Sequence, residues 1–400
     1  MHAVEGAPPR PFRPLDGRRI WFVGIGGAGL SSYAFLARAW GAEVGGWERV
    51  ETPYLHRLDG IEIELGPEPH GRDGWENVVS TAYAPQVQGR PRADFLAELV
   101  SLQRSIVVSG AHGKTTTTAM IAFVLAELGL DPAYLIGGEI PQLGGNAAAG
   151  AGWLVVEGDE SDRTVEALRP EIGVVTNVEL DHHSTFASAA EVEELFERWL
   201  AVVPHVVRGW ELDPVSFELA VPGKHNKRNA AAALAALELA GVSRSSAEPV
   251  LARFRGAGRR FEVVGVRGGV TVVDDYAHHP SEIAATIAAA RERTRGRVLV
   301  LFQPHLYSRT RHLAYEFGLA LSEADAVCVT EIYQAREQPL DGVGGRLVLA
   351  ALRPGLPAGW APTLEDGAAI VSRWARAGDL VLTLGAGDVD RAAQLILDAR

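Results

Sequence analysis

The 400-residue chain has almost no cysteine and very little lysine. Cys328 is its only cysteine, so the sequence excludes a disulfide within the chain and favours a reducing compartment. Lys114, Lys224 and Lys227 are its only lysines, although lysine and arginine together number 38. A chain that uses arginine almost everywhere else is expected to keep lysine where a compact ammonium group is hard to replace.

Long hydrophobic runs are also missing. No apolar run approaches the length needed to span a bilayer, and the Pro- and Arg-rich N-terminus has no apolar stretch long enough for a signal peptide. These patterns predict a soluble, cytoplasmic protein without membrane insertion. The net charge of -12 argues against nonspecific binding of nucleic acid, whereas a local group of donors can still bind a small anion.

What the chain does contain is three segments with the same order of strand, polar or glycine-rich turn, and helix. Three apolar runs predict the strands: Ile20–Val23, Ser105–Val108 and Val298–Phe302. Three Ala- and Leu-rich patterns predict the helices that follow: Leu30–Trp40, Thr116–Leu128 and Arg311–Leu321. This alternation predicts an α/β protein with parallel sheets.

The first of these turns fits the pattern G-x-G-x-x-G at Gly24, Gly26 and Gly29, with Gly27 as an additional glycine. Glycines between a strand and a helix allow backbone N–H groups to approach a diphosphate at the helix N-terminus. Glu48 follows at the distance expected for an acceptor of a ribose hydroxyl. The pattern is typical of dinucleotide-binding dehydrogenases, does not distinguish NAD from another nucleotide, and can also be a glycine turn without a ligand.

The second turn, from Gly110 to Thr115, is a shortened P-loop with Val108 where the longer consensus has glycine. In such a loop the backbone donors surround the phosphates, Lys114 reaches the transferred phosphoryl group, and the Thr115 hydroxyl binds Mg²⁺. The strand before it and the helix after it favour this interpretation over a chance G-K-T sequence. A dehydrogenase does not need this loop.

Acidic residues and histidines follow two further apolar runs. Glu157 ends one run, and Asp181 and His182 end another. Parallel sheets bind ligands at the carboxyl ends of their strands, oxygen ligands suit Mg²⁺, and a second ion tolerates one imidazole. Each residue alone could be a solvated turn residue, but together with the P-loop they predict a metal site.

Twelve segments in order along nearly the whole chain resemble the Mur ligase family. They are GIGGAGLSS, VVSTAYAP, SGAHGKTTTTAM, GGEIPQLGGNA, VVEGDESD, TNVELDHH, PGKHNKRNAAAA, RRFEVVG, DDYAHHPSE, FQPHLYSRTR, EIYQAREQPLDGV and GDLVLTLGAGDVD. The resemblance implies a three-domain α/β architecture. Its expected parts are an N-terminal Rossmann-like UDP-sugar domain (1–103), a shortened central P-loop ATPase domain (104–256) and a C-terminal Rossmann-like ligase domain (257–400).

The last four segments resemble the branch of the family that adds L-alanine. The resemblance therefore implies an ATP-dependent amide ligase of peptidoglycan precursor synthesis, which joins L-alanine to UDP-N-acetylmuramate through an acyl phosphate. The implied cofactors are ATP and Mg²⁺, with two ions. The implied partners are these small molecules and no nucleic acid, and the chain is expected to be a monomer or a weak homodimer.

The resemblance also implies a role for each matching residue. The residues implied for ATP are Gly110, Gly113, Lys114, Thr115, Thr116, Asn226, Asn229, Arg260 and Asp275. Those implied for the UDP-sugar are Gly24, Gly26, Gly27, Gly29, Glu48 and Ser80. Those implied for the amino acid and the intermediate are Tyr276, His278, His305 and Arg309. The implied metal ligands are Thr115, Glu157 and His182, and the implied catalytic residues are Lys114, His182, His278 and Arg309.

The chain departs from the family pattern at several positions. Leu306 stands where the family has arginine, Ser184 and Phe186 replace an acid and a phenol, and the stretch 201–221 is short. No lysine lies between Lys114 and Lys224, which excludes the carbamylated lysine of some Mur ligases. These departures leave two alternatives open: a ligase with another amino-acid or sugar acceptor, and a non-catalytic nucleotide-binding protein. A dehydrogenase would leave the P-loop and the motif H-N-x-x-N at His225–Asn229 unexplained.

Four further basic residues lie beside these motifs. His183 and His279 are interpreted as solvated neighbours of functional histidines, and neither is predicted to bind a metal ion. Lys224 and Lys227 flank H-N-x-x-N, where each could contact ATP or lie at the surface.

Overall fold

The structure is a computed structural model that describes residues 12–181, 185–335 and 337–400. Within this part of the chain the strands form three sheets, of five, six and six strands. The predicted α/β architecture with three sheets is confirmed, whereas the domain boundaries at residues 103 and 256 remain predictions. His182 and its neighbours His183 and Ser184 lie outside the described residues.

The N-terminal sheet is parallel throughout, with strand order β3-β2-β1-β4-β5. Its elements are β1 (Arg19–Val23), α1 (Ala28–Ala39), β2 (Glu43–Glu48), a 3-10 helix (Pro53–Arg57), β3 (Glu62–Leu65), β4 (Glu76–Val79), β5 (Arg90–Pro91) and α2 (Arg92–Leu102). The central strand β1 is buried from its second residue onward. The first glycine-rich turn therefore lies at the carboxyl end of the innermost strand of this sheet, where α/β sheets bind ligands.

The central sheet has the order β11-β10-β6-β9-β7-β8, and only the β7–β8 pair is antiparallel. Its elements are β6 (Ser105–Ser109), α3 (Lys114–Glu127), β7 (Ala133–Leu135), β8 (Ala147–Ala149), β9 (Leu154–Glu157), β10 (Ile172–Val175), α4 (Ala189–Leu200), β11 (His205–Arg208), α5 (Lys224–Leu239) and α6 (Arg244–Leu251). Its 3-10 helices are Pro141–Leu143, Thr164–Ala167 and Gly209–Glu211. The apolar helix α3 packs against the sheet, α5 and α6, which explains why ten consecutive residues of α3 are buried.

The C-terminal sheet has the order β12-β13-β17-β14-β15-β16, and only the β12–β13 hairpin is antiparallel. Its elements are β12 (Glu262–Arg267), β13 (Val270–Asp275), α7 (Pro280–Arg293), β14 (Val298–Phe302), α8 (Tyr307–Leu321), β15 (Ala326–Thr330), α9 (Gly345–Ala350), β16 (Ala358–Ala361), α10 (Leu364–Trp374), β17 (Leu380–Leu384) and α11 (Asp390–Asp398). Strand β13 ends at Asp275, so this predicted residue lies at the carboxyl edge of the sheet.

The three predicted strand–turn–helix segments are all present, and the predicted strand Val298–Phe302 matches β14 to the residue. The predicted helices begin too late. In the structure α3 begins at Lys114 and α8 at Tyr307. Each helix begins directly after the one residue with positive φ that ends the turn, Gly113 before α3 and Leu306 before α8. Among the described residues no helix is both long and apolar enough to cross a membrane.

Candidate active site

The P-loop between β6 and α3 requires its glycines. Gly110 has φ +125° and Gly113 has φ +79°, and a Cβ at either position would clash, with Thr176 and Asn229 respectively. The loop after β10 holds the P-loop from the other side, because the Asn177 side chain accepts from the His112 amide (3.0 Å) and donates to the His112 carbonyl (2.8 Å). The N-terminus of α3 is thereby fixed as a site for an anion.

Lys114 is held at this helix N-terminus by an acidic partner. Its Nζ donates to the Gly110 carbonyl (2.7 Å) and to Oε1 of Glu160 (2.9 Å), whose side chain is 3% exposed. Burial lowers the pKa of Lys114, but Glu160 and Asp159 outweigh it and raise that pKa above its ordinary value. Burial raises the pKa of Glu160 to about 7 although Lys114 opposes the shift. Sequence analysis did not single out Glu160, whose only signal is its place in the acidic segment after β9.

Thr115 and Glu157 lie side by side, as predicted for a metal site. The Thr115 hydroxyl donates to Oε2 of Glu157 (3.2 Å), and Oε1 accepts from the Gly137 amide (2.6 Å). Burial raises the pKa of this carboxyl group despite the hydrogen bond from Gly137 and the charge of Lys114. A hydroxyl and a carboxylate are oxygen donors of the kind that Mg²⁺ prefers. These two residues therefore fit one Mg²⁺ ion, while the predicted ligand of a second ion, His182, lies outside the described residues.

Residues predicted to bind ATP meet in a cavity of about 370 Å³ between the central and C-terminal domains. Asn226 and Asn229 lie on α5, where Asn229 donates to Asn226 (3.3 Å) and Asn226 donates to the Pro222 carbonyl (2.7 Å). Asp275 accepts from two backbone amides, and burial raises the pKa of its carboxyl group to about 6. Gly113, Thr116 and Arg260 line the same cavity. The structure thus brings eight residues of the predicted ATP set together when Lys114 and Thr115 of the adjoining P-loop are included.

A second cavity, of about 580 Å³, connects all three domains. Gly29 lines it from the N-terminal domain, Lys114 from the central domain and His278 from the C-terminal domain. Arg92, the first residue of α2, lines it as well and pairs with Asp162 (2.8 Å) and Asp159 (3.5 Å). A nucleotide phosphate, a sugar nucleotide and an acceptor amine can meet in such a space.

The first glycine-rich turn is closed by Glu48. Oε2 of Glu48 accepts from the Gly26 amide (2.9 Å), and Oε1 accepts from the Arg49 amide (2.8 Å). The Glu48 residue is 7% exposed. Gly24 has φ +89° and lies against Ser80, another predicted UDP-sugar residue. In this structure both carboxylate oxygens of Glu48 bind backbone amides of the protein. Its contact with a ribose hydroxyl stays a prediction. The same holds for the contacts of the UDP-sugar with Gly24, Gly26, Gly27 and Ser80.

The residues predicted for the amino acid form two groups. Nδ1 of His278 lies 2.9 Å from the Tyr276 carbonyl, which assigns the proton to Nδ1 and leaves Nε2 as an acceptor. Burial lowers the pKa of His278 to about 3, so its ring is neutral at neutral pH. His305 forms the second group with Arg309, at 3.2 Å between Nδ1 and Nη1. The two groups adjoin, because the ring centroids of His278 and His305 are 6.1 Å apart.

Sequence analysis missed the residues around His112. Its ring lies between Glu282 (Nδ1 to Oε1, 3.3 Å) and Glu179 (Nε2 to Oε2, 3.3 Å). Burial lowers the pKa of His112, but the two carboxylates outweigh the effect of burial and raise this pKa to about 9. His112, Glu179 and His279 place ligand atoms within 4.8 Å of one another, but protonation of His112 opposes metal binding there.

His279 corrects one sequence interpretation. It is 6% exposed and packs on the His112 ring with centroids 4.6 Å apart, so it is not a solvated neighbour. Its Nδ1 also accepts from the Ser281 amide, so His279 is the N-cap of α7. Sequence analysis does not reveal this cap, because the residues that usually cap helices are Ser, Thr, Asp and Asn. Of the two flanking lysines, Lys224 is exposed and Lys227 pairs with Glu218 (2.8 Å).

Comparisons with known proteins agree with this geometry. Residues 108–207 match the Mur ligase middle domain, and residues 259–387 match the Mur ligase glutamate ligase domain. The UDP-N-acetylmuramate–L-alanine ligase of Streptomyces coelicolor is 40% identical, over 97% of this chain and 99% of that protein. The corresponding ligase of Pelotomaculum thermopropionicum is 36% identical, over 93% of this chain and 95% of that protein.

A solved structure is also similar over nearly the full length. The crystal structure of the UDP-N-acetylmuramate–alanine ligase MurC from Thermotoga maritima has a TM-score of 0.76 and 27% identity, and the match covers 95% of this chain and 98% of that one. The match extends through the N-terminal sheet, which neither domain model includes. Together with the P-loop, the two asparagines on α5 and the cavity that connects three domains, these similarities establish that the chain belongs to the Mur ligase family.

Proposed function

We propose that the protein is an ATP-dependent ligase that joins L-alanine to UDP-N-acetylmuramate through an acyl phosphate. The observation that carries the proposal is the 580 Å³ cavity, which residues of all three domains line. The N-terminal domain contributes Gly29, the P-loop contributes Lys114 and Thr115, and the C-terminal domain contributes Arg260 and His278. The two relatives and the solved structure bear the name of this activity and align along nearly the whole chain. We also infer a cytoplasmic location and a monomer or weak homodimer.

The first step activates the sugar carboxylate. A carboxylate and an amine do not form an amide in water without activation, so the carboxylate attacks the γ-phosphorus of ATP and ADP leaves. Lys114 and Arg260 line the cavity as the cations that stabilise the charge on the transferred phosphoryl group. Mg²⁺ bound by Thr115 and Glu157 would supply further charge neutralisation between the phosphates.

The second step forms the amide. The deprotonated amine of L-alanine attacks the acyl phosphate, and inorganic phosphate leaves. Nε2 of the neutral His278 is an acceptor that can orient the amine. With a pKa of about 3, His278 is a weak base. Its proposed role is therefore to orient the amine and not to act as the general base that removes its proton. Closure of the three domains around the cavity would keep water from the labile intermediate.

Release of phosphate from Mg-ATP tests the proposal. We expect release that requires both UDP-N-acetylmuramate and L-alanine and that collapses in Lys114→Ala. Lys224→Ala is the matched control, because Lys224 is an exposed lysine at the start of another helix, and it should retain activity. ATP binding without release for any combination of sugar nucleotide and amino acid would contradict the proposal.

A ligase with another amino-acid acceptor is the second candidate, and Leu306 favours it. Leu306 replaces the family's arginine and adopts φ +73° and ψ 135°, a backbone conformation that strains residues other than glycine. It immediately precedes α8, the helix that carries Arg309. A panel of amino acids in the same assay distinguishes the two candidates, since preference for another amino acid keeps the chemistry and changes the substrate.

A further inference from the structure

Glu282 lies where the two cavities of the site meet. Four residues line both cavities: His112, Gly113, Arg260 and Glu282. Asn226 and Asn229 line only the smaller cavity of the two, and Lys114 lines only the larger. A nucleotide whose base occupies the smaller cavity and whose terminal phosphate reaches Lys114 therefore passes Glu282.

The Glu282 carboxylate contacts two domains: Oε1 contacts the central and the C-terminal domain, whereas Oε2 contacts the C-terminal domain only. Oε1 lies 3.3 Å from Nδ1 of His112 in the P-loop and 3.5 Å from Nη1 of Arg260. Oε2 accepts from the His278 amide at 3.0 Å and lies 3.4 Å from Nδ1 of the His278 ring. The Glu282 side chain is only 11% exposed. One carboxylate thus connects the P-loop with Arg260 and His278, the residues proposed above to act on the phosphoryl group and on the amine.

Charge strengthens this connection. Burial would raise the pKa of Glu282, but neighbouring cations, including His112 and Arg260, outweigh it and hold that pKa well below its ordinary range. His112 is protonated at neutral pH, so the two form an ion pair between domains in a largely water-excluded place. A second contact runs parallel to it, because the Ser281 hydroxyl donates to Glu179 (2.6 Å). The N-terminus of α7 is therefore attached to the central domain at two points.

We propose that Glu282 is a positioning residue that couples occupancy of the P-loop to the arrangement of Arg260 and His278 across the domain boundary. The proposal rests on the proposed ligase function. When phosphate binds the P-loop, His112 is fixed, and Glu282 transmits that position to the C-terminal domain through Oε1. Arg260 and His278 then face the transferred phosphoryl group and the amine at the same time.

A simpler role for Glu282 is as a cap of α7. It is the third residue of that helix, and an acidic residue there commonly accepts from a backbone amide before the helix. That contact uses Oε2 only. Glutamine keeps an acceptor oxygen for the His278 amide but has no charge for His112 and Arg260. Glu282→Gln therefore separates the two roles, because a cap alone tolerates glutamine.

Steady-state kinetics provides the first test, with Glu292→Gln as the control on an exposed part of the same helix. Loss of one charge-assisted contact is expected to lower kcat of Glu282→Gln about 10- to 100-fold. Its affinity for the non-hydrolysable analogue AMPPNP with Mg²⁺, measured by calorimetry, should change by less than about 3-fold because the contacts of Asn226 and Asn229 remain. Unchanged kcat, or a parallel loss of kcat, AMPPNP affinity and Tm, would overturn the proposal.

The second test does not depend on turnover. Cys328 is buried, so spin labels can be placed through Val202→Cys in the central domain and Tyr315→Cys in the C-terminal domain, which are 52% and 65% exposed in the wild type. With AMPPNP and Mg²⁺ bound, the distribution of distances between the two spin labels should be narrow in the labelled protein that keeps Glu282, called the parent here. It should be broader in the labelled protein that also carries Glu282→Gln. An equally narrow distribution in both would overturn the coupling. If the parent released no phosphate with its substrates, the proposed function would fail, whereas this distance measurement would still decide the role of Glu282.

Discussion

Asp181 and Arg309 form a buried ion pair that crosses from the central to the C-terminal domain. The Asp181 carboxylate accepts from Nε (3.1 Å) and Nη2 (3.3 Å) of Arg309, and each side chain is 4% exposed. Arg309 is therefore not an independent cation in this structure. Its predicted contact with the amino acid or the intermediate would be made by a guanidinium group whose orientation Asp181 fixes.

Asp181→Asn is expected to destabilise the protein strongly. Removal of one charge from a buried pair leaves the other uncompensated, which costs about 3 kcal/mol or more. The matched control is Glu365→Gln, whose pair with Arg391 is 3.8 Å long and more than half exposed, and which should change stability by less than about 1 kcal/mol. Urea unfolding of both variants measures the difference. Equal effects of the two substitutions would contradict the importance of the buried pair.

Gly113→Ala is expected to weaken nucleotide binding by more than about 10-fold, since the new Cβ would clash with the Asn229 amide and displace the loop. Gly241→Ala separates this clash from backbone strain alone. Gly241 also has positive φ, at +91°, but a Cβ there would meet no atom within 4 Å. Calorimetric titration with AMPPNP and Mg²⁺ measures both variants. Comparable AMPPNP affinity in the two variants would contradict the prediction that a clash between the new Cβ and Asn229 impairs nucleotide binding.

The His112 imidazolium gives the stability a defined pH dependence. Its pKa is raised from 6.5 to about 9, so its contribution is fully present below pH 6.5 and is lost as the pH rises through about 9. The groups that face it are Glu282 from α7, Glu179 from the loop after β10, and His279. The Tm difference between wild type and His112→Gln should therefore shrink between pH 6.5 and pH 9.5. A difference that is constant or grows with pH would contradict the assignment.

Nucleotide binding is expected to be accompanied by proton uptake at Glu160. A phosphate that takes Lys114 away from Glu160 removes the cation that lowers the pKa of this carboxyl group, which is already about 7. The pKa then rises, and Glu160 binds a proton near neutral pH. Calorimetry of AMPPNP with Mg²⁺ in two buffers of different ionisation enthalpy measures this uptake. It should be smaller in Glu160→Gln; equal uptake in both proteins would assign the proton elsewhere.

Local patterns allowed much of the fold and of the candidate nucleotide site to be predicted. Buried parallel strands are apolar runs, and the P-loop needs glycine where φ is positive, so β14 and the segment Gly110–Thr115 are visible in the sequence. The start of α8 was missed because Leu306 occupies a conformation for which leucine gives no signal.

The contacts between domains could not be predicted in the same way. Glu282 meets His112, and Asp181 meets Arg309, through residues that are far apart in the chain and carry no periodic pattern. Glu160 lies within a recognised motif, but its pairing with Lys114 depends on the relative placement of β9 and the P-loop. Likewise, the burial of His279 follows from stacking on His112, which only the folded arrangement of α7 against the P-loop shows.

The most direct test of the proposed reaction follows an oxygen atom. UDP-N-acetylmuramate labelled with oxygen-18 in its carboxylate would be incubated with the protein, Mg-ATP and L-alanine, and the products would be analysed by mass spectrometry. An acyl phosphate intermediate predicts that one carboxylate oxygen leaves with inorganic phosphate, together with formation of the L-alanyl product. Product formation with unlabelled phosphate, or ATP consumption without any alanyl product, would contradict the account.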